Sequence, residues 1–396
     1  MKSLRSWALV SVAAALLAAC GGGDPRVPGS GSPSGAPTSK GVFTSVVSFG
    51  TSASDLGTYA PATSLTGNGQ PPFFGGKFST NSDTATVWVQ NLAGALGVII
   101  TPAQLGFNGT SVQCPAAANP ALANTCTGYG QGGSMVTNPN GIGKNPATGA
   151  GALTVPIVTQ IDNHLARFTS FKASDLIVVE GGLNDLFVAF EIFATKAQQI
   201  QAQAASGAIT PAQANSLLFA AQIEGQGTMK QAALELAGYV RGKILANGGK
   251  YVAVAQMPSL ATSPFGQSLP ASARGVLVDL TATFNLWLRE GLTDQPVAVI
   301  GIEAFQAVAD NPAGLGFTNV TDMACDAAKI SALTGGLVTD GNPVFCNSTP
   351  GAPFNTLVTG ADPLTWFYAD DVHPTTGGHK LISDLVTQQL TRLGWI

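Results

Sequence analysis

Short unbroken apolar runs recur along the chain, each ending in glycine or polar turn residues and followed by a stretch of helical spacing. Thr44–Phe49 (TSVVSF) stops at Gly50, and that pattern predicts a buried strand. Asp175–Glu180 (DLIVVE), Lys250–Gln256 (KYVAVAQ) and Val297–Ile302 (VAVIGI) read as strands by the same rule. Apolar positions at i, i+3 and i+4 predict helices over Val87–Leu96, within Val155–Phe171, over Ala271–Gly291 and over Gly377–Leu393. Another helix starts at Phe305–Asp310. Residues 186–245 are rich in Ala, Gln and Leu and read as helical, with one break near Gly207–Pro211. Residues 105–153 hold many Gly, Asn and Pro and read as loop, as does the Cys-flanked stretch that runs to Leu364.

Strands alternating with helices predict an α/β domain over residues 41–396, with a mainly parallel sheet and helices on both faces. Residues 186–245 then form an insertion over one sheet edge, with a lid as its candidate role. In such folds reactive groups lie just beyond the carboxyl ends of strands. Ser52 and Asn184 both fall at such positions.

Composition narrows the classes. Only 10% of the 396 residues are charged, net charge is −4, and no basic run occurs. A protein that tracks nucleic-acid phosphates is therefore excluded. Lys2 and Arg5 precede an apolar stretch, Trp7–Ala19, too short to span a bilayer as a mature helix. It ends in Leu17-Ala18-Ala19-Cys20, the pattern of a lipoprotein signal over residues 1–20 with Cys20 as the lipidated residue. Residues 21–40 (GGGDPRVPGSGSPSGAPTSK) read as a flexible linker. Gly21 follows the cysteine where an Asp is associated with inner-membrane retention, so the expected address is the bacterial outer membrane, or secretion. An ordinary secretory signal whose cut site adjoins a cysteine is the alternative. Cys114, Cys126, Cys325 and Cys346 remain, none in a C-x-x-C pair. With three histidines in the chain, a zinc site is poorly supported and no metal is expected. Export favours two disulfides. Three pairings exist, and short loops favour Cys114–Cys126 with Cys325–Cys346.

A serine hydroxyl becomes a useful nucleophile when a base, commonly histidine, takes its proton, and the histidine in turn needs an oriented carboxylate. His164 lies mid-helix in QIDNHLAR and reads as a surface residue. His379 opens the last helix. His373 sits in Asp370-Asp371-Val372-His373-Pro374, a turn that can set Asp370 and the imidazole on one side of the backbone. Asp371 competes with Asp370 for that role. An oxyanion needs aimed donors. Asn184, after a buried strand and two glycines, and Gly133, in Tyr129-Gly130-Gln131-Gly132-Gly133-Ser134, are the candidates.

Taken in order, S-F-G-x-S-x-S-D-x-G-T-Y, Y-G-x-G-G-S, G-L-N-D and D-D-V-H-P-T resemble the four blocks of the SGNH (GDSL) hydrolases. The variant is similar to the bacterial esterases that often carry an autotransporter barrel. The resemblance runs from about residue 44 to the C-terminus. It implies a three-layer, flavodoxin-like fold and a serine esterase or lipase without cofactor. It implies Ser52 as nucleophile, His373 as base and Asp370 as its orienter. The Ser52 N–H, Gly133 N–H and Asn184 amide would form the oxyanion hole. Two departures stand out: Thr51 and Ala53 replace the Asp and Leu of the usual G-D-S-L block. They motivate the alternative of a surface-anchored binding protein that kept the fold and lost activity, and an acyltransferase would use the same residues. The implied partners are a small-molecule or lipid ester and, through the N-terminal lipid, a membrane, with the chain acting as a monomer. The loops at 100–153 and 310–364 and the helical insertion are expected to shape the acyl pocket.

Overall fold

The computed structural model describes residues 32–63, 75–301, 303–351 and 354–396. The signal segment, Cys20 and the first part of the Gly/Pro/Ser stretch lie outside the described residues. In chain order the strands are β1 (Ser45–Phe49), β2 (Gln104–Phe107), β3 (Thr110–Gln113), β4 (Asp175–Val179), β5 (Tyr251–Ala255), β6 (Ala298–Ile300), β7 (Asn319–Met323) and β8 (Trp366–Tyr368). The helices are α1 (Ala60–Thr63), α2 (Trp88–Ala95), α3 (Ile157–Phe168), α4 (Leu183–Ala205), α5 (Pro211–Tyr239), α6 (Pro264–Ser268), α7 (Ala271–Gly291), α8 (Ala304–Asp310), α9 (Ala327–Leu333) and α10 (Thr376–Arg392).

The fold is mixed α/β. Its main sheet runs β1-β4-β5-β6, every neighbouring pair parallel. β4 and β5 are buried at every position, which is why they read as continuous apolar runs rather than alternating ones. The register sets Phe49 opposite Val179, so the chain leaves β1 and β4 side by side. α3, α4, α5 and α7 pack among themselves, while α10 packs on α2 and α8. Phe49, Trp88, Val179, Leu236 and Phe284 belong to one hydrophobic core that both helix groups share with the sheet. Fully burying a side chain such as Phe49 contributes about 1.5–3 kcal/mol. Residues 186–245 are helical as read, with the break at a capping box in which Thr210 accepts from the Gln213 N–H.

Three readings need correction. The 105–153 segment is not all loop: β2 and β3 form an antiparallel hairpin. β3 is exposed along its length, so no apolar pattern betrays it. The usable signal was the turn pair Asn108-Gly109, both at positive φ (52° and 76°). The Cys-flanked stretch likewise contains β7 and α9, and β7 pairs with β8 just beyond it. His164 is not on the surface. It falls on the α3 stripe Ile157, Gln160, Ile161, His164, spaced i, i+3, i+4, i+7, and is 2% exposed. Its ring stacks on Phe171 at 4.4 Å, and burial, with Lys172 nearby, pushes its pKa down to about 4.

Both disulfides, Cys114–Cys126 and Cys325–Cys346, are formed. The end of the stretch read as a linker lies along the domain. Ser34 N–H donates to Gln295 O at 3.0 Å, and Trp395 Nε1–H donates to Pro37 O at 2.6 Å.

Candidate active site

β1 ends at Phe49 and the chain turns through Gly50 and Thr51 into a single tight turn, Ser52–Ser54. Gly50 is bound on both sides by one side chain: Gln160 Oε1 accepts its N–H at 2.9 Å and Gln160 Nε2 donates to its carbonyl at 2.8 Å. A Cβ at position 50 would lie 2.3 Å from Glu180 Oε1, so any larger residue there would displace the Glu180 carboxyl. Glu180 follows β4 directly, and its carboxyl accepts both the Thr51 N–H and the Thr51 Oγ–H. Burial raises the Glu180 pKa above its ordinary value, against the opposing bonds from Thr51 and Ser54. The turn that presents Ser52 is therefore held by α3 and by the end of β4.

Ser52 Oγ lies 2.9 Å from His373 Nε2, and His373 Nδ1 lies 2.8 Å from Asp370 Oδ2. Those partners assign the tautomer: Nδ1–H donates to the carboxylate, and Nε2 accepts the serine proton. Asp370 Oδ1 also accepts the Val372 N–H at 3.0 Å, which closes the turn that places the histidine. The Asp371 backbone carbonyl accepts the Phe265 N–H at 3.0 Å. Burial pulls the His373 pKa down, yet the Asp370 charge and hydrogen bond, with Asp371 adding charge, carry it above the ordinary value. The Phe78 ring packs against the imidazole at 5.0 Å.

The glycine loop is bound to the same turn. Asp55 is fully buried, and its carboxyl accepts from the N–H groups of Gly57, Thr58 and Gly132 at 2.9, 2.7 and 2.8 Å. Burial raises its pKa to about 6 against those bonds. Tyr59 Oη–H donates to Gly132 O at 2.7 Å. With the Gly132 N–H occupied, the next donor in the loop is Gly133. Its φ of 81° and the 2.1 Å that would separate a Cβ from Ile142 O exclude other residues. Asn184, in the first turn of α4 after Gly182 at φ 96°, donates from Nδ2 to Ser134 O at 2.8 Å. Its second amide hydrogen has no acceptor among the described residues, and neither does the N–H of Ser52 or of Gly133.

Ser52, His373 and Asp370 thus form one hydrogen-bonded line, while the Gly133 loop is tied through Gly132 to Asp55 in the same turn and Asn184 is tied to Ser134 of that loop. Gln160, Asp55 and Glu180 were not singled out as functional. Gln160 had one legible sign, a polar residue on an otherwise apolar helix stripe, and Glu180 had another, a carboxylate closing an apolar run. No group of three or more potential metal ligands occurs among the described residues. No protein-family model matches the chain, and no curated protein matches it.

Proposed function

We propose that the protein is a serine hydrolase of carboxylic esters, built on the three-layer, flavodoxin-like fold of the SGNH (GDSL) hydrolases. The carrying observation is the relay Asp370–His373–Ser52, with contacts of 2.8 and 2.9 Å. Ser52 Oγ attacks the ester carbonyl carbon as its proton passes to His373 Nε2. The Asp370 carboxylate stabilises the imidazolium. The oxyanion takes the free N–H groups of Ser52 and Gly133 and the second amide hydrogen of Asn184. Collapse expels the alcohol, which takes the proton from His373 Nε2. Water then gives a proton to the same nitrogen as its oxygen attacks the acyl-enzyme carbonyl, and collapse releases the acid while His373 Nε2 returns that proton to Ser52 Oγ.

The Gly-Thr-Ser-Ala turn argued for an inactive relative. The bonds from Thr51 to Glu180 favour the active reading, because they tie the turn to a buried carboxyl. Export to an oxidising compartment is part of the proposal, and the two disulfides suit it. Anchoring by a lipid on Cys20 in the outer membrane completes it.

Ser52→Ala tests the reading. The variant folds as the parent does, by circular dichroism and thermal unfolding. It loses hydrolysis of a p-nitrophenyl ester and labelling by a fluorophosphonate. Turnover that survives the substitution removes Ser52 from the mechanism.

A further inference from the structure

Beside Ser52 lies a cavity of about 50 Å³. Ala53, Trp88, Leu183, Met257, Phe305 and Ile382 give it an apolar wall, and Thr51, Ser52 and His373 border it. We propose that this cavity is the acyl pocket, that it takes a straight acyl chain from butanoyl to hexanoyl, and that Ala53 sets its length limit. The proposal rests on the esterase reading of Ser52.

Three observations carry it. The first is location. The cavity is bounded by the nucleophile and by the residue on each side of it. An acyl chain bonded to Ser52 Oγ would enter it without moving the turn that Gln160 and Glu180 hold. The second is chemistry. The wall is mainly apolar, and an acyl chain, unlike the incoming water, brings no group that needs a hydrogen-bond partner there. The third is size. At about 10–15 Å³ for each water-sized sphere, 50 Å³ holds roughly three to five of them. A methylene occupies about the room of one water, so about three to five carbons fit beyond the carbonyl.

The wall has unexpected sources. None of its lining residues comes from 100–153 or 310–364, the loops expected to shape an acyl pocket. They come from the turns after β1, β4, β5 and β8 and from α2, α8 and α10, the packed frame of the domain. A rigid frame makes a sharp length limit, since a core of this kind gives way little to an extra methylene.

The test compares p-nitrophenyl esters from acetate to decanoate in the wild type, Ala53→Leu and Ile382→Val. A second series holds acetate constant and varies the alcohol. Labelling by a small methyl fluorophosphonate is read in parallel. The wild type peaks between butanoate and hexanoate, and decanoate falls at least tenfold below the peak. Leucine at position 53 fills most of the room for the chain. The ratio of pentanoate to acetate in kcat/KM then drops at least tenfold, while the alcohol series keeps its rank order. Ile382→Val removes one methylene from the α10 wall and shifts the peak one carbon longer, which keeps the proposal testable if the leucine variant folds poorly. Labelling and turnover with an unchanged acyl profile in both variants overturn the pocket and leave the esterase standing. So does a change confined to the alcohol series. Absence of both labelling and turnover in the wild type overturns the pocket together with the reading beneath it.

Discussion

Glu180 offers the sharpest test of how the nucleophile is held. Thr51 is fully buried, and both its N–H and its Oγ–H end on the Glu180 carboxyl. Glu180→Ala leaves two buried donors without an acceptor, at about 1–3 kcal/mol each. Partial relaxation brings the expected loss to about 2–5 kcal/mol of unfolding free energy. A turn displaced by about 1 Å also costs on the order of 10²-fold in kcat. Glu180→Gln keeps an acceptor oxygen for Thr51, so its cost should be about 1 kcal/mol or less. The pH dependence adds an independent signature. Burial holds the folded-state pKa above the ordinary 4.5, so the folded chain retains a proton that the unfolded chain releases. The wild type therefore loses stability as pH rises from 4.5 through the folded pKa, by about 1.4 kcal/mol per pH unit inside that window. Glutamine does not titrate, so the stability of Glu180→Gln relative to wild type should climb with pH across that window and level off above it. Asp55 and Asp185, each raised to about 6 by burial, titrate in both proteins and cancel in the difference. Urea unfolding of wild type, Glu180→Gln and Glu180→Ala at several pH values between 4.5 and 8 supplies the measurement. A flat difference between wild type and Glu180→Gln would refute a raised pKa for the buried carboxyl. An alanine variant as stable as the parent would refute the donor count.

Asp370→Asn should retain the fold and lower kcat about 10²–10⁴-fold, because the imidazolium loses its counter-charge. Hydrolysis requires neutral His373, whose pKa Asp370 helps to hold above 6.5, so the acid limb of the kcat–pH profile should move to lower pH in the variant. An unmoved limb would show that another group titrates. Removing the Cys325–Cys346 disulfide by a double serine substitution opens a loop of 21 residues and should cost about 3 kcal/mol, read as a lower urea midpoint.

Much of the site is legible in the order of residues because part of its geometry is local. Asp370 and His373 are three apart in one turn, and the carboxylate that orients the ring also caps the backbone between them. Gly132 and Gly133 are adjacent, and no local property separates them. Only the bond from Gly132 N–H to Asp55, 77 positions away, leaves Gly133 as the free donor. His164 shows the limit of periodicity. The stripe that includes it was readable, but which face of α3 meets the sheet depends on what packs there, and Phe171 and Phe49 do. The β2–β3 hairpin escaped because an exposed polar strand carries no alternation.

Hydrophobic spacing alone determined the main-sheet strands, their order along the chain and the points where they end, and so the positions of Ser52 and Asn184. Burial on both faces writes itself into sequence as an unbroken apolar run, and a glycine marks where the run stops. Contacts between distant segments are a different matter. Ser52 meets His373 across 321 positions, Thr51 meets Glu180 across 129, and Gly50 meets Gln160 across 110. Each depends on which elements pack beside the end of β1, and the Thr51 contact depends on the register of β1 against β4. Once Phe49 pairs with Val179, the residues that follow them, Gly50 and Glu180, stand side by side. The tertiary structure alone thus decided that the carboxyl which holds the nucleophile's turn comes from the end of the neighbouring strand.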